Sequence, residues 1–316
     1  MLIMTGITAL PRQAESQARL TLKRHGKSFY WAGALLEAEQ AQHAAVLYAF
    51  CRAADDLADG IDPSIARSGL SDIRRALERG VSADPTVNAF LQLATVQQLP
   101  LMPAQVLIDT LMDDVGSVRL QTWDELLRYA YGVASTVGIL MCGVLRVRDS
   151  AALPFAIDLG IAMQLTNIAR DVLEDAARDR VYLPQEAAPI RLHPQHLVAG
   201  DTATRGAAYA VVEQVLHQAD RYYRSADHGM RYLPWRARLA ILTAARVYEA
   251  IGGVVQGCRD EYWRGRSYVG VAGKCWHTSR ALSAALSQPR YWLSGQPPRH
   301  DPQLHQALRG LPGAQP

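Results

Sequence analysis

The chain has 316 residues, 49% of them hydrophobic and 20% charged, with a formal net charge of +3 and a pI near 8.7. That composition supplies a sizeable core and excludes a disordered chain. Lys and Arg are scattered, so nothing points to a nucleic-acid partner, while mild basicity suits an anionic substrate or a membrane surface. Cys51, Cys142, Cys258 and Cys275 lie far apart with no CxxC pairing and read as buried thiols of a reducing cytosol.

Met1 to Leu10 is apolar but lacks a basic leader and a cleavage site, so no secretory signal is expected. Residues 1–18 read as an N-terminal extension. From there to residue 288, Ala, Leu, Glu, Gln and Arg dominate, apolar positions recur at three and four, and no hairpin signal appears. The expectation is a single all-α domain, punctuated into helices by Pro63, Pro85, Pro100, Pro103, Pro154, Pro184, Pro189, Pro194 and Pro234. Residues 289–316 form a Pro/Gly-rich C-terminal tail, expected to pack loosely.

The first acidic helix runs from Gln42 to Asp59. Tyr48, Arg52, Asp55 and Asp59 are spaced by four, three and four, so one face carries all of them. Crowded carboxylates repel, and a stable helix carries them on a solvated surface or around a bound cation. The solvated alternative is an Arg52–Asp56 ion pair worth a few tenths of a kcal/mol. The cationic one is Mg²⁺, which takes oxygen ligands, waters and substrate phosphate.

Asp113-Asp114 has no partner carboxylate one turn on and reads as a helix-end or surface pair. Asp124 to Leu145 forms a third helix whose face of Tyr131, Ala134, Ser135, Gly138 and Cys142 is small enough for close packing or for a hydrocarbon slot. Its weakly polar run, Gly132 to Leu145, has about fourteen residues and falls short of the roughly 18 to 20 that span a bilayer. The chain is therefore expected to be cytoplasmic, with room for peripheral membrane association.

Asp158 to Asp175 gives the second acidic helix. Gly160, Gln164, Asn167, Asp171 and Asp175 follow one another by threes and fours, beside an apolar ridge of Ile161, Leu165, Ile168 and Val172. Arg178, Arg180 and Tyr182 follow, able to hydrogen-bond phosphate or, for the arginines, to pair with Glu174.

These segments resemble the squalene/phytoene synthase family over roughly residues 20 to 280. The matching stretches are His25-Gly26-Lys27-Ser28-Phe29, Tyr48-Ala49-Phe50-Cys51-Arg52 with Asp55 to Asp59, Tyr131 to Gly138, Ala162 to Asp171, and Arg180-Val181-Tyr182-Leu183-Pro184. The fourth, with Glu174-Asp175-Ala176, is most similar to bacterial phytoene synthases. Gly26 stands where the family often has serine.

The resemblance implies one isoprenoid synthase domain with a central cavity. It implies Mg²⁺ or Mn²⁺ held by Asp55, Asp59, Asn167, Asp171 and Asp175, with Tyr48 and Arg52 completing the catalytic set. Substrate contacts would come from Ser28, Phe29, Tyr131, Val137, Gly138, Gln164, Asn167, Arg170 and Tyr182. Arg266 and Lys274, in a looser C-terminal motif, would add basic diphosphate contacts. The implied reaction joins two geranylgeranyl diphosphates head to head and yields phytoene, without NADPH or an obligate protein partner; no Gly-rich nucleotide fingerprint is present.

Gly33, Ala34, Ala44 and Ala45 would leave room for C20 tails if they line the tunnel. The competing readings are a squalene-type synthase using farnesyl diphosphate, a head-to-tail prenyltransferase or terpene cyclase, and an inactive helical scaffold. The second cluster fits neither a repeated DDxxD nor an Asn/Ser/Glu triad.

Overall fold

The computed structural model describes residues 12–257, scattered positions from 259 to 283, and 299–314. Its helices are α1 (Arg12–His25), α2 (Lys27–Gly33), α3 (Ala38–Ala58), α4 (Pro63–Arg79), α5 (Pro85–Gln97) and α6 (Met102–Asp113). They continue with α7 (Trp123–Ala130), α8 (Thr136–Val144), α9 (Leu153–Ala177), α10 (Pro194–Ala199), α11 (Thr202–Gly229) and α12 (Trp235–Gly257). Among the described residues the fold is all-α apart from one pair of two-residue strands.

Local sequence sets many of the boundaries. Pro63 and Pro85 open their helices, where a missing N–H costs nothing, and the carboxylates of Asp62 and Asp84 cap the next free amides. Thr122 and Glu125 form a reciprocal capping box at the start of α7. Helix α4 ends at Gly80, whose φ of 74° is left-handed and suits glycine.

Two apolar clusters flank the middle of the molecule. One gathers α3 to α6 and α8 around residues such as Phe50 and Phe90, whose rings stack at 4.0 Å. The other surrounds α9 and α11, and it includes Leu304 and Leu308 near the C-terminus. Helices α3 and α9 thus face one another from different clusters, and the acidic stripes lie on them.

The third predicted helix is interrupted by a π turn, Tyr131–Ser135, between α7 and α8. Such a turn holds an extra residue and rotates the faces on either side of it. There α9 approaches so closely that a Cβ on Gly160 would sit 2.6 Å from the backbone of Ser135 and 2.8 Å from that of Ala134. Gly160→Ala should therefore cost about 1–3 kcal/mol, read as a lower melting temperature.

By length and composition, three helical stretches, Trp123–Val144, Ser150–Ala177 and Trp235–Gly257, are long and apolar enough to cross a membrane, so the run of about fourteen residues expected from the sequence to fall short understates them. Between 50% and 61% of each apolar window is buried inside the protein.

The described part of the tail is not loose. Residues Pro302–Leu308 form a 3-10 turn that buries Leu304, His305 and Leu308. Tyr222 donates to the Leu304 carbonyl at 2.8 Å, and Tyr131 donates to that of Pro312. Apolar residues set among the prolines anchor the strap in a way that composition alone conceals.

Candidate active site

Two adjoining chambers lie along α9, the polar one between it and α3. The polar one has a volume of about 480 Å³ and draws Tyr48, Arg52, Asp55 and Asp59 from one wall and Gln164, Asn167, Arg170, Asp171 and Asp175 from the other. The apolar one, about 310 Å³, includes Phe29, Val137, Gly138, Phe155 and Met230 in its lining. Tyr48, Cys51, Val133, Gln164, Asn167 and Tyr248 border both, so the chambers adjoin.

The two acidic stripes therefore face each other. Arg180 on the far wall donates to Asp59 at 2.8 Å and to the Ala58 carbonyl at 3.0 Å, tying the end of α3 to the segment after α9. Arg178 also pairs with Asp59, across the chamber instead of with Glu174. Parallel pairing of Val118 and Arg119 with Arg180 and Val181 sets the register of this bridge. Arg52 does form the expected pair with Asp56, and Asp55, 3.6 Å away and half exposed, lines the chamber with Arg52.

Negative charge is in excess here. Burial pushes the Asp55 carboxyl up to about 6, and repulsion from Asp59 adds to it. Asp175 is pushed up to about 8 by burial and then by Asp171 and Asp114. Asp171 is held by a two-pronged contact with Arg170, at 2.7 and 2.6 Å.

Asn167 donates to Gln164 at 3.2 Å, which leaves its buried Oδ1 without a hydrogen-bond donor among the described residues. An orphan oxygen beside carboxylates that resist ionising is the donor set that a hard divalent cation satisfies. Asp55, Asp175 and Asn167 offer such oxygens, while in the metal-free protein Asp59 is engaged by Arg178 and Arg180 and Asp171 by Arg170.

Asp114 is the residue that the sequence misplaced. Asp113 is exposed, as a surface pair would be, but Asp114 is 5% exposed and accepts from Tyr182 at 2.9 and 2.7 Å. Burial raises it to about 6, an effect opposed by the Tyr182 hydrogen bond and by Arg180. Tyr129 stacks on Tyr182 at 4.5 Å and borders the chamber too. No spacing rule links Asp114 to Arg180 and Tyr182; only the strand pairing does.

Phe29 stacks on Tyr248 at 5.2 Å and tilts against Tyr48 at 6.2 Å, placing aromatic faces where the chambers meet. Burial raises Tyr48 to about 12, so its hydroxyl stays neutral. Tyr248 was invisible to pattern reasoning because no motif surrounds it.

Two expected contacts fall elsewhere. Tyr131 is fully buried and bonded to Pro312, turned off the cavity by the π turn, and Ser28 is half-buried on α2 but lines neither chamber. Arg266 and Lys274 lie outside the described residues. Gly33, Ala34, Ala44 and Ala45 do not line the apolar chamber either: Ala45 is core at 1% exposure, and the small residues that do line it include Ala134, Gly138, Ala156 and Gly160.

Fold and site together define an all-α synthase that acts on an anionic head group carried by an apolar tail. The squalene/phytoene synthase family model matches residues 22–270. A phytoene synthase from Pseudescherichia vulneris is 34% identical over 271 residues, 81% of this chain and 87% of its own. A 15-cis-phytoene synthase from Enterobacter agglomerans is 37% identical over 254 residues, 76% and 85% respectively. The crystal structure of a dehydrosqualene synthase in complex with a ligand matches with a TM-score of 0.74 at 27% identity, covering 87% of this chain and 98% of that one. The chain belongs to the squalene/phytoene synthase family, and it is a prenyltransferase whose substrates are prenyl diphosphates.

Proposed function

We propose that the chain condenses two geranylgeranyl diphosphates head to head, through prephytoene diphosphate, to phytoene and two diphosphates. The observation that carries this reading is the junction of an acidic and arginine-rich chamber with an apolar one at Tyr48, Gln164 and Asn167. Similarity to phytoene synthases supports the C20 substrate.

Mg²⁺ or Mn²⁺ on Asp55, Asp59, Asn167, Asp171 and Asp175 would neutralise the diphosphate and assist its departure. Arg52, Arg170, Arg178 and Arg180 surround the same chamber and stabilise charge on the leaving group. Ionisation of one allylic diphosphate leaves a cation, which the double bond of the second substrate attacks. Proton loss closes a cyclopropane. The second diphosphate then departs, the ring opens to join C1 to C1, and a further proton is lost.

Phe29, Tyr48 and Tyr248 offer aromatic faces to the cations and contribute no strong nucleophile. Arg52 and Asp55 lie one and two turns further along α3 than Tyr48, on the diphosphate side. Because the last step releases a proton, no NADPH enters. A C40 hydrocarbon product needs a membrane to receive it, which supports peripheral association with the cytoplasmic face; Trp31 and Trp235, 42% and 56% exposed, are aromatic groups suited to that interface.

A farnesyl-using squalene-type reaction is the second reading, favoured by the dehydrosqualene synthase match. Purified protein with Mg²⁺, no NADPH and either C15 or C20 diphosphate separates the two. A C40 product from the C20 substrate is expected, with kcat/KM at least about tenfold above that for C15; product from C15 alone would overturn the assignment.

A further inference from the structure

Outside the polar chamber, Asp158, His300 and His305 converge, and all three side chains are buried. His300 Nε2 lies 2.9 Å from one carboxylate oxygen of Asp158 and His305 Nε2 lies 2.9 Å from the other, while Ser225 donates to the first. Three donors compensate a charge that is 0% exposed. The carboxylate is held below its ordinary range: burial works against this, and the two histidine hydrogen bonds overcome it.

His305 Nδ1 is buried and has no hydrogen-bond partner among the described residues. With Nε2 donating to Asp158, that atom is a bare acceptor, the less costly of its two states. A metal on Nε2 would move the proton to Nδ1 and face it with no acceptor. The network therefore assigns direct hydrogen bonds to this cluster, a clasp between α9 and the C-terminal strap.

The clasp backs the apolar chamber. Phe155 lines that chamber and lies three residues before Asp158 on α9. Its ring meets His300 edge-on at 5.4 Å and stacks on Tyr232 at 6.0 Å. On another side it is pressed so tightly against Gly229 that a Cβ there would come within 2.3 Å of Phe155 Cβ. Phe155 is also twelve residues from Asn167, which borders the polar chamber, or about 18 Å along the helix. The ring thus stands at the end of the chamber remote from the diphosphate.

We propose that His300, held by Asp158, is a positioning residue that fixes the Phe155 ring and so limits the length of the prenyl tail. The proposal rests on the reading that the apolar chamber holds that tail. Without the imidazole edge behind it, the Phe155 ring can swing away and open the remote end, admitting one further isoprene unit.

The test compares wild type, His300→Gln and Phe155→Leu, using C20 and C25 prenyl diphosphates with Mg²⁺. Gln retains a donor toward the buried Asp158 and so preserves the fold, but it removes the ring. His300→Gln is expected to raise the C25 to C20 ratio of kcat/KM about tenfold, with the melting temperature retained, and Phe155→Leu to raise it at least as far. A ratio unchanged in His300→Gln but raised in Phe155→Leu would overturn the role of His300 and leave the chamber reading intact. Should neither variant move the ratio, while wild type turns over C20 normally, the tail does not lie in this chamber and both ideas fall. Zinc bound to wild type at one ion per chain and lost in His305→Ala would also overturn the clasp.

Discussion

Asp55→Ala and Asp171→Asn are each expected to lower turnover by at least about 10³-fold, the scale of several kcal/mol that a metal-held leaving group is worth. Both carboxylates line the polar chamber, one from each wall. Stability should respond differently. Asp55 resists ionising because desolvation and the neighbouring Asp59 oppose its charge, but with 52% of its side chain exposed its removal should leave the stability of the metal-free protein little changed. Asp171 holds Arg170, whose side chain is only 10% exposed, and Asn retains an acceptor for it where Ala would strand a buried guanidinium. Steady-state assay with the C20 substrate, paired with thermal melting, separates lost chemistry from lost fold. Undiminished turnover in either variant would remove the two-walled cage.

Without a divalent cation, the protein should lose stability as pH rises from about 4 to about 8. The sign follows from the carboxylates. Asp55 and Asp114 sit near 6 and Asp175 near 8, all above the ordinary 3.8, so over this interval these three carboxyls bind more protons in the folded chain than in the unfolded one, against the opposing contribution of His43, which burial holds low. Stability present at low pH is then given up as these groups ionise in the native state.

Mg²⁺ binds the ionised form, so the melting-temperature gain on adding it should be larger at pH 8 than at pH 6. At a hundredfold excess over Kd the gain amounts to about 2.7 kcal/mol, or several degrees. Asp175→Asn should flatten the metal-free pH curve and reduce the Mg²⁺ shift. A metal-free melting temperature that climbs from pH 6 to 8 would contradict the charge excess.

The remaining surprises share one cause. Periodicity describes a single helix, and it located Tyr48, Arg52, Asp55 and Asp59 on α3 and Gln164, Asn167, Asp171 and Asp175 on α9, where all of them line the chamber. It failed where a face is cut or completed by another element. The π turn at Tyr131–Ser135 broke the face that grouped Tyr131 with Gly138. Asp114 became a site residue only because the pairing of Val118 and Arg119 with Arg180 and Val181 brings Arg180 and Tyr182 to it.

By itself, then, the sequence determined the all-α class, the proline- and carboxylate-capped helix starts and the two acidic stripes, since propensity, capping and i, i+4 spacing act within about one turn of chain. Tertiary structure alone decided that the stripes face each other through Arg180 and Asp59, which are 121 residues apart. It also brought His300, 142 residues from Asp158, against both that carboxylate and Phe155, which lines the apolar chamber. Contacts between distant segments depend on how helix faces pack and on how strands and strap register, and that information is absent from any local window of residues.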